Sequence, residues 1–365
     1  MKPLSAIYYI KKNKMRCFLI IFIFVLTYVI YIGGLYFNNI EQTFEYSIER
    51  LDKFAAIQPN GTGVKEKFEQ SKLKSMEDDR LLVIEQLYGG GVYINSIMGS
   101  VKNGYPTFSF KSVEDFKSYC EYMNISCDFE SLKEGSAVMS EMFALNRGLE
   151  RGELVTADEA ENEVLYGDFI LDAITDEEGY SFYTIGGADL NTEYLILPVE
   201  MDLEQFGVFL KELSDDYDVT AVNGEYLEEE IARQMSSMNK IYFFIVIFTA
   251  VVIAVTINAV FVGMYQKREA EYAVYRAIGI GRKRIRRKLI CEILVMDLIG
   301  LLIGGIVCIT ALYLLNSLYF HPSGRHIFYY HPISLIGMLV CNGVVLIPLI
   351  FTRSRQLMRA DICTF

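Results

Sequence analysis

The chain has 365 residues, 52% of them hydrophobic, and a net charge of −12; so apolar and unevenly patterned a sequence is not one soluble domain. Residues 38–239 hold 41 Asp/Glu against 15 Lys/Arg, while the remainder holds 5 against 19. The acidic middle argues against nucleic acid as a partner, because phosphate binding needs a basic footprint, and against tight anchoring to anionic lipid.

A spanning helix needs about 20 apolar residues to cross about 30 Å of hydrocarbon. In chain order, a basic segment (1–16) with Lys2, Lys11, Lys12, Lys14 and Arg16 precedes the first such run, Cys17–Phe37. The run is too long for a signal-peptide core and no small-x-small cleavage site follows, so an uncleaved anchor is expected. The next stretch, NNIEQTFEYSIERLDKFAAI, has apolar residues at helical spacing and is expected to continue that helix beyond the bilayer. GTGVKEKFEQSKLKSMEDD is charged and aperiodic and reads as a mobile connection.

From Arg80 onward, β-rich runs alternate with helical ones: VYINSI, then SVEDFKSYCEYM with Ser112 as N-cap and Asp115 in the first turn. SAVMSEMFALNRGLERGELV reads as strand, short helix, turn and strand; EYLILPV, DLEQFGVFLKELSDD and YDVTAV read as strand, helix and strand. The prediction for 38–240 is therefore an α+β domain with β-α-β units, inserted between the first and second spans of a four-helix membrane protein. YLEEEIARQMSSMNK reads as a helix feeding the second span, so two helical stalks would frame the domain.

This domain shows no catalytic pattern. It lacks G-x-x-x-x-G-K-[ST], G-x-S-x-G and H-E-x-x-H and contains no histidine, which leaves a hydrolase triad without its base. GGGVYINS fits no phosphate loop, and the pairs Asp78/Asp79 and Asp215/Asp216 lack the calcium-loop pattern. No metal site is expected, since the seven cysteines follow no ligand spacing. Cys17, Cys291, Cys308 and Cys341 sit in apolar runs and Cys363 near the tail, all reading as small buried hydrophobes. Cys120 and Cys127 share the acidic domain and are a candidate disulfide if that domain is outside the cell, although spacing alone does not show that their side chains converge.

Three further spans follow: Ile241–Tyr265, Leu289–Leu315 and Ile333–Phe351. Lys and Arg concentrate in the N-terminus, in the 266–288 loop (Lys267, Arg268, Arg276, Arg282, Lys283, Arg284, Arg286, Arg287, Lys288) and in the 352–365 tail (Arg353, Arg355, Arg359). The positive-inside rule places all three in the cytoplasm. The 316–332 connection, with Arg325 alone, faces out, and its His321, His326 and His331 match no metal motif.

Within the loop, Tyr272, Tyr275 and Ile278 at i, i+3 and i+6 would give a short helix one apolar face opposite Glu269 and Glu271, with Gly279 and Gly281 ending it. Such a helix at the membrane surface is shaped to dock another protein. In the third span Asp297, Gly300 and Gly304 form one stripe with a G-x-x-x-G. An acid in hydrocarbon costs about 2.5 kcal/mol or more, so Asp297 is expected to face a packed bundle or dimer seam, with Asn258 or Asn342 as hydrogen-bond partner.

The stretch YQKREAEYAVYRAIGIGRKRIRRKLICEILVMDLIGLLIGGI resembles the FtsX-like and MacB-type ABC permease family. The matching positions are Glu271, Tyr272, Ala273, Val274, Arg276, Ala277, Ile278 and Gly279, with Glu292 as a later acid. Ala270 departs from a position that is often basic there, and Arg268 stands nearby. LIPLIFTRSRQLMRADI and SAVMSEMFALNRGLERGELV are similar to the family's closing and outer-domain patterns. The resemblance implies that Arg268, Glu269, Glu271, Tyr272, Tyr275, Arg276, Ala277, Ile278 and Gly279 couple to a separate ABC ATP-binding subunit. That partner would hold ATP and Mg, and this chain would be neither an enzyme nor a cofactor carrier. A second permease copy or paralogue, membrane lipid and an accessory envelope protein are the further implied partners, in a bacterial cytoplasmic membrane with both termini inside. The implied activity is export or extrusion of an amphiphilic peptide, lipid or antibiotic. The alternatives are a mechanotransmission subunit regulating a cell-wall hydrolase, and a receptor or sensor without an ATPase.

Overall fold

The computed structural model describes residues 14–59, 80–97, 102–159, 163–187, 192–266 and 269–359. The 61–79 connection with Asp78/Asp79, and Lys267, Arg268 and Cys363, lie outside the described residues. Contacts divide the chain into a membrane unit (Met1–Asn38, Ser237–Leu314, Phe328–Phe365) and an outer unit (Asn39–Ser236, Leu315–Ile327).

Two helices, α1 (Lys14–Val25) and α2 (Tyr28–Phe37), make the first apolar run. They are separated at Thr27, whose hydroxyl donates to the Phe24 carbonyl at 2.6 Å and competes with the helical ladder. The expected continuous extension is corrected. Asn38 donates through both its backbone N–H and its side-chain amide to the Gly34 carbonyl, each at 2.9 Å, and closes α2. A separate helix, α3 (Asn39–Leu51), follows, and its expected tail is instead a strand, β1 (Ala55–Pro59).

The outer unit continues with β2 (Leu81–Asn95), β3 (Lys102–Phe110), α4 (Val113–Met123), β4 (Ser136–Ser140), α5 (Glu141–Arg147), β5 (Leu154–Val155) and β6 (Val164–Leu165). It is completed by β7 (Phe169–Thr175), β8 (Phe182–Ile185), β9 (Thr192–Pro198), α6 (Leu203–Tyr217) and β10 (Val219–Val222). The strands form one mixed sheet in the order β10-β1-β9-β2-β3-β8-β4-β7-β5, with β6 on β2. Ile57 of β1 faces both Ala221 and Tyr194, so the unit β9-α6-β10 straddles β1. Strand β2 runs well upstream of VYINSI, and its register shifts between Tyr88 and Gly91, where the glycine run absorbs a bulge.

Local chemistry sets the helix ends. Ser112 accepts from the Asp115 N–H at 3.1 Å, as its cap position predicts, and Asp202 accepts from the Gln205 N–H at 2.8 Å. Apolar faces of α4 and the sheet then bury Phe110, Phe116, Tyr119 and Tyr183 in one cluster. Cys120 lies in that cluster and Cys127 packs against it, and both are free thiols, so the candidate disulfide is not formed. Burial pushes both thiols up, Cys127 to about 11, and suppresses the thiolate that disulfide exchange requires.

Arg50 of α3 is held within the same region. It donates to the hydroxyls of Tyr183 at 3.1 Å and Tyr105 at 3.3 Å and lies 3.9 Å from Glu177. Beside β2, buried Glu163 accepts from the N–H groups of Tyr93 and Asp158, both at 2.8 Å, and from both terminal nitrogens of Arg147. Burial alone would raise this carboxyl, but the Arg147 and backbone hydrogen bonds hold it below the ordinary value of 4.5. A carboxyl lowered by folding contributes stability above its unfolded pKa, and that contribution is lost as pH falls through the folded value. We therefore expect Glu163→Gln to destabilise the chain at neutral pH by about 2 kcal/mol. Its unfolding midpoint should also fall less steeply than that of the wild type as pH drops below 4.5. Thermal unfolding in detergent across that range checks this, and parallel slopes would contradict it.

The remaining helices are α7 (Gly224–Gln266), α8 (Glu269–Ala277), α9 (Arg282–Leu315) and α10 (Pro332–Arg359). Four stretches are long and apolar enough to cross a membrane: Ile20–Phe37, Met235–Gly263, Arg282–Ser323 and Pro332–Arg355. In the membrane unit α9 packs against α1 and α2 through its glycines. A Cβ on Gly300 would stand 2.6 Å from the Phe24 Cβ, and one on Gly304 would overlap the Tyr28 ring. Tyr28 donates to the Leu301 carbonyl at 2.8 Å across the same seam.

Candidate functional site: the loop helix and its anchors

Helix α8 has two unlike sides. Inward, Tyr272 is buried in a cluster with Cys17, Ile20, Ile257, Ile285 and Leu289. Beside it Lys288 of α9, its side chain 4% exposed, lies 3.5 Å from Glu271 Oε1 and 3.9 Å from Glu292 Oε1. Its ammonium also donates to the Tyr275 hydroxyl at 3.3 Å and stands 4.6 Å from that ring's centroid, and Tyr275 donates to Glu271 at 3.0 Å. One buried cation thus ties α8 to α9, a geometry in which desolvation makes the pairing obligatory.

Outward, Val274 is 59% and Ile278 68% exposed. Ile278 does not extend the apolar face of Tyr272 and Tyr275. The helix ends at Ala277, so the i+6 relation no longer holds. Gly279, at φ +86°, reverses the chain while the Ile280 N–H donates to the Tyr275 carbonyl at 3.0 Å. Gly281 does not end α8; its carbonyl accepts from the Arg284 N–H at 2.9 Å and opens α9. Ala277 and Gly279 are exposed and Arg276 half-buried, next to exposed Arg282, Lys283, Arg284, Arg286 and Arg287. Glu269 begins α8.

The other predicted stripe lies within the membrane unit. Asp297, Gly300 and Gly304 are all buried, and of the two asparagines expected beside Asp297 it is Asn342 of α10 that lies near it. Asn258, the other candidate, accepts from Arg353 instead, through its backbone carbonyl at 2.8 Å and through its side-chain oxygen. Arg353 is 1% exposed. Lys288 and Arg353 appear in the sequence only as part of the cytoplasmic charge excess. Their signal was position, since each stands within one turn of an apolar run.

Among the described residues no three His, Cys, Asp or Glu side chains gather as a metal site. His326 Nδ1 lies 3.3 Å from His321 Nε2, while His331 Nδ1 lies 3.4 Å from the Ser334 hydroxyl.

Residues 242–359, from within α7 to the end of α10, match the family model of the FtsX-like permease C-terminal domain. Through this segment the chain is similar to FtsX-like permeases. No curated protein sequence matches the chain. Among solved structures, a domain of a permease protein from Porphyromonas gingivalis aligns over 47% of this chain and 89% of its own, at 10% identity and a TM-score of 0.24. So low a score does not bear on the fold of this chain.

Proposed function

We propose that the chain is the permease subunit of an ABC transporter and that the outward side of α8 receives a separate ATP-binding subunit. The supporting observation is the two-sidedness of α8: Tyr272 and Lys288 fix its inner side, while Val274, Ala277 and Ile278 stay exposed beside the cations of 282–287. An apolar centre rimmed by charge is the anatomy of a protein interface. Those cations support a cytoplasmic position for α8 and both termini under the positive-inside rule. ATP and Mg belong to the partner, and a second permease copy or paralogue completes the unit, because four helices alone make a poor conduit.

On this reading, nucleotide-driven closure of the partner moves the outer unit rather than opening a wide pore. The cargo is an amphiphilic peptide, lipid or antibiotic taken from the membrane or envelope. Ile278→Asp tests the docking side without touching the packed one. A central apolar contact contributes about 2 kcal/mol, so the variant should bind the ATP-binding subunit roughly 30-fold more weakly at unchanged thermal stability. Co-purification and binding titration measure this. Unchanged affinity would remove α8 as the docking site, and no co-purifying ATPase with the wild type would remove the transporter reading.

A further inference from the structure

The segment 315–327 joins α9 to α10, yet it is part of the outer unit. It is closed on itself by Asn316, which donates to the Ile327 carbonyl at 2.8 Å and accepts from the Ile327 N–H at 3.0 Å. At its tip Gly324 takes φ +59°, and its carbonyl accepts from Asn146 Nδ2 at 3.0 Å and from the Tyr180 hydroxyl at 2.7 Å, both buried bonds. A Cβ at Gly324 would collide with the backbone N of Asn146 and the carbonyl of Met142. Asn146 is itself fixed, since its Oδ1 accepts from the Asn95 N–H at 2.7 Å and its amide donates to the Asn95 carbonyl at 3.0 Å. Asn39, the first residue of α3, donates to the His326 carbonyl at 2.9 Å.

We infer that Asn146, Tyr180 and Gly324 form a clasp that makes the α9–α10 connection a working part of the outer domain. Movement of the third and fourth spans would then be delivered to that domain as directly as movement of the first two. The chain passes between the units at Asn38/Asn39, Ser236/Ser237, Leu314/Leu315 and Ile327/Phe328, so every span has a covalent lead into the outer unit. Two helical stalks would leave 315–327 an idle loop. The clasp makes it a second handle, and it gives α5 a task that packing alone does not. The delivery half of this inference rests on the transporter reading above; the clasp half does not.

The test is hydrogen exchange on the full chain in lipid nanodiscs, comparing the wild type with Tyr180→Phe, which removes one hydroxyl, and Gly324→Ala, which opposes both φ and contact. The expected result is reciprocal. Tyr180→Phe should speed exchange in 324–327 roughly fivefold to tenfold, the effect of losing one buried hydrogen bond. Gly324→Ala should speed exchange in 141–147 and 182–185, far away in sequence. If either variant alters only its own segment, the clasp is overturned; Tyr180→Phe decides the matter if Gly324→Ala does not fold. Spin labels on α4 and in α5 then report outer-domain movement when the ATP-binding subunit and ATP are added. Expected is a movement that shrinks by half or more in Tyr180→Phe while the hydrolysis rate is kept. An unchanged movement overturns delivery through this handle. A wild type with no nucleotide response overturns the transporter reading and delivery together, and leaves the clasp to the exchange result.

Discussion

Lys288→Met is expected to release α8 from α9 and to destabilise the membrane unit. The methionine keeps most of the buried stem but removes the ammonium that Glu271 and Glu292 face at 3.5 and 3.9 Å. Glu292 is 1% exposed, so the substitution takes away the ammonium that faces its carboxyl group in a poorly solvated place. Removing one partner of a buried charge set costs about 3–5 kcal/mol, far more than the pair contributes against an apolar replacement. The same substitution strips Tyr275 of the cation over its ring, about 1 kcal/mol more. Thermal unfolding in detergent should show a loss of at least about 3 kcal/mol, and Glu292→Gln placed on top of Lys288→Met should recover part of it. Lys288→Met with wild-type stability would mean that the ammonium does not hold the helix.

Gly304→Leu and Gly300→Leu are expected to disrupt packing of the membrane unit, for a different reason. Both glycines let α9 approach α1 and α2 so closely that even a methyl group has no room. Overpacking costs about 1–3 kcal/mol where neighbours shift, and more where they cannot. At Gly304 the obstacle is the ring of Tyr28, a side chain, so Tyr28→Ala should rescue Gly304→Leu. At Gly300 the Ile21 carbonyl stands 3.2 Å from the would-be Cβ beside Phe24, so no single side-chain deletion should rescue Gly300→Leu. Gly263, with nothing within 4 Å of its would-be Cβ, is the control, and Gly263→Leu should fall within about 0.5 kcal/mol of wild type. Detergent-resistant monodispersity and unfolding midpoints read all four variants, and a tolerated Gly300→Leu would refute the close approach.

Both predictions concern residues that the sequence describes unevenly. The Gly300/Gly304 stripe is legible because helix periodicity alone puts three residues on one face. Which helix meets that face is not legible, since a dimer partner and the chain's own α1 and α2 satisfy the same pattern. Lys288 and Arg353 are less legible still. A basic residue just outside an apolar run satisfies the positive-inside rule whether it points to water or into the bundle, and only its neighbours distinguish the two. Ile278 errs in the other direction: helical spacing gives it an inward place, but the spacing applies only while the helix lasts, and the turn at Gly279 ends it.

Within the outer unit, elements with local signals were readable: Ser112 before α4, the run of strand, α5 and turn from Ser136, and the strand, helix and strand from β9 to β10. Strand β3 was not, because Gly104 and Pro106 interrupt its pattern. Sheet order was beyond reach as well.

The sequence by itself determined the four apolar stretches, the acidic domain between the first two, the basic loop, the loop helix and the glycine stripe. Each depends on composition or on periodicity within a few turns of chain. Tertiary structure decided that Lys288 and Arg353 are interior cations, that Cys120 and Cys127 remain thiols, that Asn258 serves Arg353 rather than Asp297, and that the 315–327 segment belongs to the outer unit. In each case the deciding energy is a desolvated charge, a buried thiol or a buried hydrogen bond. Apart from Glu292, four residues from Lys288, the deciding neighbours lie many residues away, where no spacing rule extends.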